Sequence, residues 1–84
     1  PRRGEIRGIV SYNDVPVEEG RVKVTILELQ KTVETVADGA FQFLDVPAGT
    51  YTLEALGSVS NTLLKGRVEK ISTPAKNVVI RLQQ

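Results

Sequence analysis

Apolar and polar residues alternate with a period of two along most of this chain, in short runs separated by glycine, proline, asparagine and aspartate. Strands with one buried and one exposed face read this way. Over residues 5–12, Ile6, Val10 and Tyr12 share a face, with Gly8 between them. The polar stretch from Asn13 to Gly20, with Pro16 inside it, predicts a loop. Residues 21–28 alternate cleanly, Val22, Val24 and Ile26 against Arg21, Lys23 and Thr25. After a turn near Leu29-Gln30, the β-branched Thr32, Val33, Thr35 and Val36 predict a strand over 31–37.

Asp38-Gly39 carries a strong hairpin signal, because glycine accepts the positive φ that a tight turn demands. Phe41 and Phe43 then fall on one face of a brief strand. At Pro47, within Asp45-Val46-Pro47-Ala48-Gly49, the chain must leave the sheet, since proline has no N–H for a ladder. Tyr51, Leu53 and Ala55 face inward over 50–56, and Gly57 to Ser60 predicts a polar break. Residues 62–72 do not keep a strict period and predict an irregular or bulged strand. Pro74 closes a turn, and Val78, Ile80 and Leu82 face inward on a last strand over 77–83.

No window shows a 3.6-residue apolar period. The expected fold is therefore all-β, a seven-stranded antiparallel Greek-key-like β-sandwich. The 84 residues make one domain, with 1–4 expected as a flexible N-terminal tail or linker.

Composition narrows the chemistry. Eleven basic and ten acidic residues nearly cancel and are interspersed, which argues against a nucleic-acid partner. No apolar run is long enough to span a bilayer. With no signal peptide and no initiating methionine, the chain is expected to be a mature product or a domain of a longer protein. Cysteine and histidine are both absent, which removes disulfides, thiolate nucleophiles, zinc sites and the commonest general base.

The order Gly8-Ile9-Val10, Pro16-Val17 through Gly20 into Val22-Lys23-Val24, Thr35, Asp38-Gly39, Phe41-Gln42-Phe43, Asp45-Val46-Pro47-Ala48-Gly49-Thr50-Tyr51-Thr52-Leu53 and Val78-Val79-Ile80-Arg81-Leu82 resembles the carboxypeptidase regulatory-like domains. These share a transthyretin-like (prealbumin-like) sandwich. The resemblance runs from Gly8 to Leu82 and is most specific from Thr35 to Leu53. This sequence departs from the family pattern at Glu19-Gly20, at Ser58 after Gly57, and in having Asp38 as the one acid before the aromatic strand. The resemblance implies a non-catalytic accessory module of a larger secreted or surface protein, with an extracellular, periplasmic or cell-surface location. Gly39, Phe41, Phe43, Pro47, Gly49, Tyr51 and Leu53 form its structural motif. Physically, Gly39 turns the chain, the two phenylalanines fill the core, and Pro47 and Gly49 make a corner. Tyr51 buries its ring there while its hydroxyl reaches a nearby backbone group.

Other chemistries are weaker. Ser11, Ser58, Ser60 and Ser72 lack a nucleophile elbow, so no enzyme and no cofactor are expected. Asn13, Asp14, Glu18 and Glu19 offer oxygens, but not at calcium-loop spacing. The same loop, with Tyr12, is the candidate contact surface. Tyr12 is the one aromatic left for stacking on a glycan, which makes a carbohydrate-binding module the first alternative. An adhesin or pilin-type sandwich without an isopeptide cross-link is the second: Asn77 and Glu54 are placed for the cross-link, but the first strand offers Arg7, a poor nucleophile, in place of lysine. Strand addition at 62–72 or at Lys31 to Ala37 is also open, against guarding charges on Lys65, Arg67 and Lys70. The expected partners are neighbouring domains of the same chain or another protein.

Overall fold

A computed structural model describes residues 3–17, 20–59 and 61–83, and among them the alternating runs become eight strands. These are β1 (Arg3–Tyr12), β2 (Val15–Pro16), β3 (Val22–Ile26), β4 (Lys31–Glu34), β5 (Ala40–Pro47), β6 (Thr50–Val59), β7 (Thr62–Ser72) and β8 (Ala75–Arg81). They form two sheets. In the first, β8 runs along one side of the central β1, and β5 and then β2 line its other side. The second has the order β4-β3-β6-β7, antiparallel throughout.

The inward faces meet in one core, as the alternation requires of a β-sandwich. Ile6, Val10, Phe41, Phe43, Val46, Val78 and Ile80 come from the first sheet; Val22, Val24, Ile26, Tyr51, Leu53, Ala55 and Leu64 come from the second. The rings of Phe41 and Phe43 meet edge to face, with centroids 6.1 Å apart. At one margin the sheets are tied together. Lys65 and the residue two beyond β8, Gln83, exchange two backbone hydrogen bonds of 3.0 and 2.8 Å.

Several expectations change. Strands number eight because Asn13 and Asp14, both at positive φ, make a two-residue hairpin that returns Val15–Pro16 against Ser11 and Tyr12. Val17, expected in a loop, is buried in the core. The sandwich is not purely antiparallel, since β1 and β8 are parallel. Asp38 and Gly39 do adopt left-handed φ values of 62° and 71°, but they sit in a 3-10 turn (Ala37–Gly39) that carries the chain from one sheet to the other. Gly39 is required there twice over: a Cβ would also meet the Val10 carbonyl at 2.5 Å. Over Gly57 to Val59 the expected break does not occur, because β6 continues to Val59 and Gly57 pairs with both Val22 and Leu64; Ser60 lies outside the described residues. Arg3 and Gly4, expected in a tail, pair with Pro47 and Val46.

The irregularity expected over 62–72 is present as a bulge. Tyr51 and Leu53 face Ile71 and Val68, so β7 carries an extra residue there, and Lys70 lies at φ 58°. Matching bulges occur in β5, at Asp45 (φ 56°), and in β8, at Asn77 (φ 65°).

Candidate functional site

Of the motif residues, Pro47, Gly49 and Tyr51 gather at the end of the sandwich where β1 begins, whereas Gly39 lies at the other end of β5, against Val10 and Val17. Pro47, Ala48 and Gly49 connect β5 in one sheet to β6 in the other, and Tyr51 closes the corner: its hydroxyl donates to the Pro47 carbonyl at 2.6 Å. Thr73, in the turn between β7 and β8, clasps the same corner. Its Oγ1 donates to Pro47 O at 3.3 Å and accepts from Gly49 N–H at 3.2 Å, and its own N–H reaches Gly49 O at 3.1 Å. Sequence reasoning missed Thr73; a hydroxyl residue before a turn proline was the available signal. This constellation holds two turns together and exposes no reactive group. Tyr51→Phe removes one buried hydrogen bond and is expected to cost about 1 kcal/mol in urea unfolding, since Pro47 O keeps Thr73.

The candidate contact loop lies at the opposite end. Asn13 and Asp14 are exposed at the tip of the β1–β2 hairpin, whereas Tyr12 is half-buried and packs against the core. Glu18 and Glu19 lie outside the described residues. Tyr12 thus leaves only part of its ring uncovered by the core. Among the described residues, no three acidic, histidine or cysteine side chains come together as metal ligands. No helix is long and apolar enough to cross a membrane.

Arg7 and Asn77 line one depression on the first sheet, but Glu54 belongs to the second, opposite Arg67. The three isopeptide positions are thus not brought together. Of the serines, Ser11 is buried, Ser58 is exposed on β6, Ser72 faces Thr50 at 3.4 Å, and Ser60 lies outside the described residues.

Two carboxylates do structural work at exposed positions. Glu5 accepts from Arg7 at 2.7 Å and from Gln42 at 3.2 Å, and Glu28 accepts from the Thr52 N–H at 2.8 Å. Arg7 and then Gln42 hold the Glu5 carboxyl below its ordinary value of 4.5, and the Thr52 N–H does the same for Glu28. A carboxyl whose pKa is depressed on folding stabilises the fold above its unfolded pKa, and that contribution is lost as pH falls through the folded pKa. The urea midpoint is expected to drop as pH falls below 4.5. Glu28→Gln keeps an acceptor for Thr52 and should make that drop shallower while changing little at neutral pH.

The outward face of the first sheet breaks the alternation. Ile9 on β1 stands opposite Ala40 on β5 and Val79 on β8, and Val36 donates its N–H to the Ala40 carbonyl at 2.7 Å. Val36, Ile9 and Val79 are 53, 38 and 44 % exposed. Together the four make an apolar stripe across three strands, along a shallow depression of about 420 Å³. Arg7 and Gln42 flank it on one side with Asn77, and Ser11 and Arg81 flank it on the other. On the second sheet Leu56 sits between Lys23 and Lys65, and Leu63, 70 % exposed, lies diagonal to it opposite Ser58. An exposed row of this kind marks a contact surface more often than chance exposure of single residues does. Sequence reasoning missed it because Ile9 and Val79 read as part of continuous apolar runs.

Protein-family models, curated proteins and solved structures were compared with this chain, and none matches.

Proposed function

We propose that this chain is a non-catalytic accessory module of the carboxypeptidase regulatory-like kind, part of a larger secreted or surface protein, which spaces and contacts its neighbours. The observation that carries the reading is the parallel pairing of the first and last strands, with Ile6 beside Ala75 and Ser11 beside Arg81. A chain that comes in through β1 at the Tyr51 corner leaves through β8 at the hairpin end. Domain termini more often lie close together. Separated ends suit a module placed in line between two others. The motif residues support the reading in a second way: Phe41, Phe43 and Tyr51 are buried, and the Tyr51 hydroxyl is taken up by Pro47.

The test joins the chain to the segments that flank it in its parent protein and, in parallel, assays it alone. Alone, it is expected to retain no glycan on an array and to turn over no ester, peptide or glycoside. Joined, it is expected to hold its neighbours at a fixed separation in small-angle scattering, which a flexible linker of equal length does not reproduce. Glycan retention lost in Tyr12→Ala, or turnover by the isolated chain, contradicts the proposal.

A further inference from the structure

We infer that Asp38–Gly39 is an isomerisation site that the folded chain closes and unfolding opens, so that the chain acquires a one-way chemical mark of time spent unfolded. The inference goes beyond the accessory-module reading and does not depend on it.

An aspartate side chain is open to attack at Cγ by the amide nitrogen of the next residue, and the bulk of that residue sets how easily. Of the three aspartates, Asp14 and Asp45 precede valine, whose branched Cβ crowds the nitrogen, whereas Asp38 precedes glycine. In the first step the Gly39 nitrogen bonds to Asp38 Cγ, and the amide proton and the carboxyl hydroxyl leave as water. A succinimide ring results. Water then adds at one of its two carbonyl carbons. Addition at Cγ breaks the new bond and restores aspartate. Addition at the Asp38 main-chain carbonyl carbon breaks the original peptide bond instead. The chain then runs through Cγ, and the former main-chain carbonyl becomes a free carboxyl. One water is lost and one regained, and no oxidant or cofactor takes part.

The folded turn forbids the first step. Ring closure needs the Gly39 nitrogen eclipsed with Cβ about the Asp38 Cα–C bond. With Asp38 ψ at 23°, the nitrogen stands roughly 140° away from Cβ. Turning it round requires the turn to come apart. Gly39 N–H donates to Val36 O at 3.0 Å, Val36 N–H to Ala40 O at 2.7 Å, and Ala40 N–H to Ala37 O. Gly39 is also buried, so close to β1 and the core that an added Cβ would meet Val10 O at 2.5 Å and Val17 N at 3.0 Å. The Asp38 carboxyl itself is exposed, so the backbone is the gate and not access to solvent.

The same contacts make the change one-way. An isomerised chain carries one extra main-chain atom between Ala37 and Gly39, where the packing has no room even for a Cβ on Gly39. Phe41 and Phe43 enter the core two and four residues later, so the mismatch falls at the entry to the core. An unfolded chain that is modified before it refolds is lost to the native state.

The experiment holds the whole chain in native buffer and in urea above its unfolding midpoint, at one pH and temperature, beside a synthetic peptide of residues 34–43. Isoaspartate is counted by fragmentation mass spectrometry of the Asp38–Gly39 linkage. The unfolded chain is expected to keep pace with the peptide, and the folded chain to isomerise about a hundredfold or more slowly. Phe43→Ala, with its larger unfolded population, should isomerise at least about tenfold faster than the parent in native buffer. Once urea is removed, the isoaspartyl fraction should show no cooperative unfolding transition while the unmodified fraction refolds. Asp38→Gly keeps the left-handed backbone, lacks the carboxyl and should refold fully after the same incubation. A folded chain as fast as the peptide, an unfolded chain that does not isomerise, or a Phe43→Ala rate equal to the parent's would overturn the inference. So would an isoaspartyl chain that refolds with the parent's stability, or an Asp38→Gly chain that loses refolding as the parent does. None of these results bears on the spacing measurement, so the two readings fail separately.

Discussion

Phe43→Ala is expected to remove about 3–5 kcal/mol of stability, and Phe41→Ala a similar amount. Domains of this size hold roughly 5–15 kcal/mol in all, so either change takes a large share. The two rings are 2 and 3 % exposed and lie edge to face against one another in the core. Truncating one leaves a cavity and strips its neighbour of that contact. The chain has no cysteine to form a disulfide, and no metal ligand set gathers among the described residues to back up this core. Urea unfolding reads the effect directly; a loss below about 1 kcal/mol would contradict the placement of these rings.

Gly8→Ala is the second large expected effect, and it acts by overpacking rather than by a cavity. Gly8 faces Phe41 on one side and Val78 on the other, in the middle of the central strand. A Cβ there would run into the Val78 carbonyl oxygen and lie 2.8 Å from the Val78 Cβ. The obstacle is backbone, so no rotamer change relieves it, and β1 and β8 must separate. A cost of about 3 kcal/mol is expected, at the upper end for one added methyl group. The accompanying loss of amide protection should be concentrated in β8. A variant as stable as the parent would mean that the two strands are not so closely apposed.

How legible the fold was depended on which physical signal each segment carried. Period-two alternation placed Val22, Val24 and Ile26, Tyr51, Leu53 and Ala55, and Val78, Ile80 and Leu82 on the buried side, and all of them are buried. Alternation reports which face is buried but not which strand lies alongside, so the parallel partnership of β1 and β8 was out of its reach. Turn chemistry behaved in the same way. Asp38-Gly39 signals a hairpin, and its glycine does take a positive φ, but no hairpin forms: a local signal cannot say whether the next strand stays in the sheet or crosses to the other. Asn13-Asp14 carries the same kind of signal in weaker form, without glycine, so the polar stretch predicts a loop where the folded chain makes a hairpin. Gly57 misled for the opposite reason: glycine is common in breaks, but here it lets β6 lie close to Val22.

The corner around Tyr51 was legible because its function is structural and local. Its hydroxyl finds a carbonyl four residues back, within reach of a sequence argument. Thr73 reaches the same carbonyl from 26 residues away, and only the folded chain brings it there. The apolar stripe is likewise a property of three strands placed side by side. Ile9 and Val79 are ordinary residues in sequence and become a surface only through the registers of β1 with β5 and β8.

The central claim is that the chain passes through the module from end to end, because its first and last strands are parallel. Spin labels on Arg3→Cys and Arg81→Cys test it directly, since the chain has no cysteine of its own to interfere. Arg81 stands beside Ser11, and residues 3 to 11 of β1 span about 26 Å at roughly 3.3 Å per residue. A single narrow distance distribution in the range of about 25–30 Å, measured by pulsed electron resonance, is the predicted result. A distribution centred below about 15 Å would mean that the first and last strands run antiparallel with their ends together, and the in-line account would be wrong.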